Sequence, residues 1–167
     1  FGYIYTGGSY PLAYHGLGDV FVVIFFGLVA TMGTYYVIVG DLSWSVFLLG
    51  LPLGLLANNI LVVNNYRDKE TDEAAGKRTL VVRFGRAFAR SQYAWQLAGA
   101  YFSLSVYVGL TQSFWACLAL ATIPMGTKLI VELRDTRGPA LNGLLGRSAK
   151  LLLAFSALLA LGIAFSG

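Results

Sequence analysis

Four carboxylates, Asp68, Glu70, Asp72 and Glu73, fall within the stretch NNYRDKETDE (64–73), directly after the apolar run LLANNILVV. Residues four apart on a helix share a face. If the helix continues past Val63, Asn64, Asp68 and Asp72 form one stripe, with Asn65 one position round. Like charges at that spacing destabilise a bare helix by roughly 0.2–0.5 kcal/mol, and a hard divalent cation reverses the sign of the interaction. Magnesium suits such a place, because it takes one or two carboxylates, keeps some water and completes its shell with phosphate oxygens. Arg67, Lys69, Lys77 and Arg78 stand beside the carboxylates and can meet the remaining charge of a phosphate. The pattern therefore points to a metal-bound diphosphate. DxxxD alone is a weak motif and reads also as a solvated helix face. Its place at the end of an apolar run, after a double Asn and before GKRT, favours the site.

The elements that must hold these residues follow from composition. Of 167 residues, 57% are hydrophobic and only 12% charged, with a mean hydropathy of +0.68. A soluble surface needs about 25% charged residues, so the expected class is an all-α integral membrane protein. About 20 apolar residues span a bilayer core as a helix, and five stretches qualify: roughly 20–39, 42–63, 91–110, 113–131 and 149–166. The connections at Gly40-Asp41 and Thr111-Gln112 are short. Those at about 64–90 and 132–148 are long and charged. All twelve Lys and Arg fall on one side of this topology, seven of them from Arg67 to Arg90. Positive residues mark the cytoplasmic side, which puts the acidic cluster on the cytoplasmic face of a multi-pass protein of the cell membrane. The net charge of +4 comes without a cationic helix or an RNA-binding aromatic motif, so no nucleic-acid partner is expected.

Other residues carry weaker signals. His15 in PLAYHGLGD reads as an interfacial hydrogen-bonding residue more readily than as a metal ligand. Tyr5, Tyr10, Tyr14 and Trp95 read as interface aromatics, with pocket lining for a cationic intermediate as the alternative for some of the tyrosines. Asn58 and Asn59 lie inside the second span, where polar side chains face helices or a cavity. Lys128 and Glu132 are four apart and could pair. GLPLG (50–54) has the small-xxx-small spacing of close helix contact, and Pro52 and Pro124 are expected to bend their spans. Cys117, the single cysteine, reads as a packed thiol. The chain opens at Phe1 rather than Met, which is expected of a piece of something longer, and no secretory signal is expected at its start.

The stretch NNYRDKETDEAAGKRTLVVRFG resembles the second aspartate-rich motif of the UbiA superfamily of intramembrane prenyltransferases. YTGGSYPLAYHGLGD and ALNGLLGRSAKLLL are similar to the bacterial 1,4-dihydroxy-2-naphthoate polyprenyltransferases of menaquinone synthesis. The resemblance runs from Tyr5 to near the C-terminus. It implies nine transmembrane helices around a cavity that opens laterally to lipid, of which this chain matches helices five to nine. Residues 1–167 would then be the C-terminal portion of one membrane prenyltransferase domain. The first motif, of the form NDxxDxxxD, is absent, so the N-terminal half of the same enzyme is an expected partner.

The resemblance further implies that Asp68 and Asp72 carry Mg²⁺, supported by Asn64 or Asn65. Arg67, Lys77 and Arg78 would hold the diphosphate of a polyprenyl donor, and Tyr5 and Tyr14 would line the substrate pocket under a cap formed by residues 1–19. The implied reaction is Mg²⁺-dependent transfer of the polyprenyl group from an allylic diphosphate to 1,4-dihydroxy-2-naphthoate within the lipid bilayer. Two alternatives stand beside it. One is the same chemistry on another aromatic acceptor, 4-hydroxybenzoate, homogentisate or a porphyrin-type ring. The other is a non-enzymatic ion-binding membrane protein or transporter. Seven Lys and Arg beside the carboxylates disfavour a cation pathway.

Overall fold

The structure, a computed structural model, describes residues 16–166. Six helices follow one another in it: α1 (Gly18–Val39), α2 (Trp44–Arg67), α3 (Lys69–Ala74), α4 (Leu80–Thr111), α5 (Phe114–Asp135) and α6 (Leu141–Ser166). No strand occurs among the described residues. Tyr5, Tyr10, Tyr14 and His15 lie outside them.

Four of the five expected spans coincide with helices long and apolar enough to cross a bilayer, namely α1, α2, α5 and α6 with its preceding turn. The chain is a multi-pass, all-α integral membrane protein. The expected span 91–110 lies within α4, which is ample in length at 32 residues but more polar. Two of its polar side chains turn inward: Ser103 Oγ donates to the Leu48 carbonyl at 2.9 Å, and Gln92 reaches Asp19. The large apolar side chains left exposed, among them Val37, Ile38, Phe102, Leu110 and Leu153, suit lipid contact.

The two charged connections are shorter than the hydropathy pattern implies. α2 continues four residues beyond Val63 to Arg67, α4 begins at Leu80, and α6 begins at Leu141. Hydropathy marks where the bilayer ends, whereas these helices run on into water. Thr79 caps α4 by accepting from the Val82 N–H at 3.3 Å. Gly85, at φ +80°, then kinks α4 one turn in, a conformation that favours glycine.

α2 is the hub, with α1, α4 and α6 packed on it, while α5 pairs with α6. Its buried residues Leu56, Val62, Val63 and Tyr66 meet Tyr93, Leu97 and Leu104 of α4 and Phe155 of α6 in one core. Between membrane helices the hydrophobic effect gives little drive, so close packing and interhelical hydrogen bonds hold them. Gly27 and Gly54 bring α1 and α2 into backbone contact: a methyl at Gly54 would lie 2.5 Å from the Val23 carbonyl oxygen and 3.0 Å from Gly27 Cα. The small-xxx-small pair Gly50/Gly54 thus does what its spacing implies. Around Gly27, α1 adopts π-helical turns over Val23–Val29.

Interhelical hydrogen bonds complete the frame, from Tyr93 Oη to Ser148 Oγ at 3.0 Å and from Tyr101 Oη to Thr122 Oγ1 at 2.8 Å. Glu132 pairs with Arg147 of α6 at 3.0 Å rather than with Lys128, a link between α5 and α6 that spacing within one helix cannot reveal. Pro52 is buried within α2. Pro124 stands in the first turn of the α-helical part of α5, where 3₁₀ geometry (Phe114–Thr122) gives way to α and no backbone donor is needed.

Candidate functional site

The acidic cluster sits where α2 ends. Asp68, at φ −92° and ψ 10°, interrupts the helix between α2 and α3. The spacing nevertheless survives the break, because the Asp68 N–H donates to the Asn64 carbonyl at 3.0 Å and the Asp72 N–H to the Asp68 carbonyl at 2.8 Å. Asn64, Asp68 and Asp72 therefore stay one turn apart, although not on an unbroken helix.

Each of the four carboxylates has its own cation. Arg67 grips Asp68 with two bonds of 2.6 Å, Nε to Oδ1 and Nη2 to Oδ2. This guanidinium holds the Asp68 carboxyl below the ordinary carboxylate range, since a hydrogen bond to the ionised form favours it. Lys77 Nζ donates to Asp72 Oδ1 at 2.7 Å, and Asp72 is buried. Gly76, at φ +73°, turns the chain back so that the Lys77 N–H also meets the Asp72 carbonyl at 2.9 Å. Arg86 clamps Glu70 at 2.6 and 2.7 Å and likewise lowers its pKa. Lys69 pairs with Glu73 at 3.1 Å. The crowding of like charge is thus compensated within the chain.

Two of the residues expected at a diphosphate, Arg67 and Lys77, are the ones that hold Asp68 and Asp72. Arg67 also donates to Asn64 Oδ1 at 2.9 Å and to Asn142 Oδ1 of α6 at 2.7 Å, so it ties the end of α2 to the start of α6. Arg78 is exposed. Its carbonyl faces Gly16, where a side chain would come within 2.7 Å, so the chain entering α1 lies against the GKRT turn. Asn65 is buried, and no hydrogen bond of its side chain occurs among the described residues.

Sequence reasoning missed Tyr66, its partners Arg86 and Arg137, and Asn142. Tyr66, wholly buried, lies between two guanidinium groups, Arg86 at 5.3 Å and Arg137 at 5.9 Å from its ring centre. Arg137 donates to Tyr66 Oη at 3.0 Å, and Arg86 to the Tyr66 carbonyl at 3.3 Å. Cation–π contact and these bonds fasten the last turn of α2 to α4 and to the α5–α6 connection. Asn142, which accepts from Arg67, is the fourth. Nothing in the spacing marks it.

The fit to a divalent metal rests on Asp68, Asp72, Asn64 and Asn65. No group of three or more His, Cys, Asp or Glu that could hold a metal occurs among the described residues. Two carboxylates with neighbouring amides suffice for Mg²⁺ when phosphate oxygens fill the remaining positions, so the donor set fits as a partial site. Below it runs an apolar groove of about 460 Å³, lined by Phe26, Ile60, Leu61, Leu145 and Leu152, with Asn64 at its polar end.

The chain matches the model of the UbiA prenyltransferase family over residues 1–143. It is 36% identical over 164 residues to a 1,4-dihydroxy-2-naphthoate octaprenyltransferase of Escherichia coli, covering 97% of this chain and 53% of that protein. It is 35% identical over 144 residues to the Mycobacterium leprae protein of the same name, covering 86% and 48%. With the human UbiA prenyltransferase domain-containing protein 1 it shares 36% identity over 149 residues, covering 89% and 43%. The chain spans about half the length of these relatives. The chain belongs to the UbiA prenyltransferase family.

Proposed function

We propose that this chain forms part of an aromatic polyprenyltransferase that moves a polyprenyl group from an allylic diphosphate to 1,4-dihydroxy-2-naphthoate, the step of menaquinone synthesis that attaches the polyprenyl side chain to the ring. The observation that carries the reading is the juxtaposition at the end of α2. Two carboxylates four apart, each already bonded to a cation, follow one turn after Asn64, which lines an apolar groove in a membrane protein. A diphosphate with a long hydrocarbon tail has this same polarity. The acceptor is proposed from the names of the bacterial relatives.

Asp68 and Asp72 would hold Mg²⁺, with Asn64 and Asn65 beside them. The metal supplies charge stabilisation for the departing diphosphate. Arg67, Lys77 and Arg78 offer donors to phosphate oxygens, Arg67 through a planar fork suited to them. For Arg67 and Lys77 this means exchanging a carboxylate partner for a phosphate. The C1–O bond of the donor breaks and the diphosphate leaves with the electron pair. An electron-rich ring carbon of the acceptor bonds to C1, and loss of the ring carboxylate as CO₂ returns its bonding electrons to the ring. The groove residues Phe26, Ile60 and Leu152 would exclude water from the allylic cation. Tyr5 and Tyr14 remain proposed pocket residues.

On this reading the chain corresponds to helices five to nine of a nine-helix fold, and the N-terminal half supplies the other aspartate motif. The site faces the cytoplasm. The test is transfer from labelled polyprenyl diphosphate to 1,4-dihydroxy-2-naphthoate in membranes carrying the full-length protein, with and without Mg²⁺. Metal-dependent product supports the reading. Product only with 4-hydroxybenzoate or homogentisate replaces the acceptor. No product from folded protein with any acceptor favours an ion-binding role.

A further inference from the structure

Below the acidic cluster, α1, α2 and α4 enclose a second polar feature that the proposed metal and diphosphate chemistry does not use. Asp19, a carboxylate buried in a membrane helix, accepts from Asn58 Nδ2 at 3.1 Å and from Gln92 Nε2 at 2.6 Å, both on Oδ1. Because a carboxylate can only accept, these bonds fix both amides with their oxygens turned the other way. Among the described residues, Asn58 Oδ1 and Gln92 Oε1 are buried with no hydrogen-bond partner, and so is Gln96 Oε1 one turn along α4. Asp19, Asn58, Gln92 and Gln96 line one cavity of about 320 Å³, whose other walls include Val20, Ile24 and Leu80.

Such an arrangement is unusual inside a bilayer. Buried acceptors without donors are costly, and an ionisable group at membrane depth marks a functional site by default. The donors of Asn58 and Gln92 that face Asp19 are committed, and among the described residues no Lys or Arg lines the cavity. The unmatched buried atoms are amide oxygens, so the pocket can satisfy hydrogen-bond donors. Its walls are otherwise apolar. A ligand that fits carries hydroxyl donors on a flat hydrocarbon body.

The pocket also stands in register with the acidic cluster. Asn58 and Asn65 of α2 are seven residues apart, which returns to nearly the same helix face, and both are buried, as is Asp72 beyond the end of α2. Ten residues separate Asn58 from Asp68, about 15 Å of helix rise. That span leaves room for a diphosphate headgroup and one aromatic ring between the two sites.

We propose that the Asp19–Asn58–Gln92–Gln96 pocket binds the hydroxyl groups of a dihydroxylated aromatic acceptor and so orients its ring toward the acidic cluster. The proposal rests on the transferase reading above for what the ligand is, but its binding test needs neither metal nor diphosphate. The probe is 1,4-dihydroxynaphthalene, kept reduced, added to full-length protein in lipid nanodiscs. Binding is followed by tryptophan fluorescence, since Trp95 lines the adjoining cavity with Gln92 and Gln96.

Saturable binding is expected, weakened at least tenfold in Asp19→Asn and about threefold to tenfold in Gln96→Met. The second variant removes an amide oxygen that has no partner, so it leaves the fold intact even if Asp19→Asn does not fold. The dimethyl ether of the probe, which lacks both O–H donors, should bind at least tenfold more weakly. In transfer assays Gln96→Met should raise KM for the aromatic acceptor by a similar factor without changing KM for the prenyl diphosphate. Equal binding of the ether, or an acceptor KM and probe affinity unchanged in Gln96→Met, overturns the pocket while leaving the transferase reading standing. Hydroxyl-dependent, variant-sensitive binding in a protein with no transferase activity keeps the pocket and removes the transferase reading.

Discussion

The guanidinium of Arg67 closes on both carboxylate oxygens of its own neighbour, Asp68, at 2.6 Å each. A residue expected to receive a diphosphate thus occupies a residue expected to receive a metal. Any divalent cation arriving at Asp68 must displace Arg67, and a phosphate bound alongside would give the released guanidinium a new partner. Replacing Arg67 with Gln is therefore expected to tighten Mn²⁺ binding in the absence of diphosphate, by about threefold to tenfold given that the pair is partly exposed. The same change should weaken diphosphate binding about tenfold or more. Spin-resonance titration of Mn²⁺, with and without inorganic diphosphate, checks both directions. Unchanged metal affinity in a folded variant would show that Arg67 does not compete for Asp68.

Asp72 is the more enclosed of the two carboxylates, and Asn has nearly its shape. Asn at 72 can still accept from Lys77 Nζ, so Asp72→Asn should cost only about 1 kcal/mol of stability. Loss of a metal-bearing charge should reduce prenyl transfer by about a hundredfold or more. The variant is to be assayed beside a melting curve on the same preparation. A normally folded Asp72→Asn protein with near wild-type transfer would remove Asp72 from the site, and Asp68→Asn offers the parallel test.

The acid limb of stability should report the cation pairs. Asp68 and Glu70 both have lowered pKa values in the folded chain, through Arg67 and Arg86 respectively. A lowered folded value gives stability that is complete above the unfolded values, about 3.9 for Asp and 4.3 for Glu. It is lost as pH falls through the folded ones. Metal-free protein in detergent should accordingly hold these contributions from neutral pH down to about pH 5 and lose them below about pH 4. Arg67→Gln should flatten that decline, which differential scanning fluorimetry across pH 3–7 would record. An unchanged acid limb would mean that the pair contributes nothing to the folded state.

Much of this arrangement was legible in the residues. The apolar run ending at Val63, the four-residue spacing of Asn64, Asp68 and Asp72, and the clustering of Lys and Arg on one side all carry local information, and the helices respect it. Pairings across long separations were not legible. Glu70 meets Arg86 sixteen residues on, across a turn at Gly76 and close to the kink at Gly85. Asp19 meets Asn58 and Gln92 only because α1 packs on α2 and α4 packs on it too. The hydropathy pattern also misjudged the connections, since a helix continued by charged residues in water leaves no apolar trace. Asn58 and Asn59, polar residues within a span, face a cavity and a helix respectively, as such residues should: Asn59 Nδ2 donates to the Tyr93 carbonyl at 3.3 Å, while Asn58 lines the cavity.

The contact that sets α1 against α2 leaves no room for a side chain at Gly54. A methyl group at Gly54 would meet the Val23 carbonyl oxygen and Gly27 Cα, and neither can move without shifting the backbone of α1. Overpacking of this kind costs about 1–3 kcal/mol, so Gly54→Ala is expected to lower the melting temperature by several degrees. Gly109→Ala is the control, because nothing lies within 4 Å of its new methyl and alanine is the better helix former. The displacement should also reach function. Moving α1 away from α2 stretches the Asp19–Asn58 bond and widens the groove at Phe26, so Gly54→Ala should bind 1,4-dihydroxynaphthalene more weakly even well below its melting temperature. A Gly54→Ala protein as stable as Gly109→Ala would mean that α1 and α2 do not cross on this glycine.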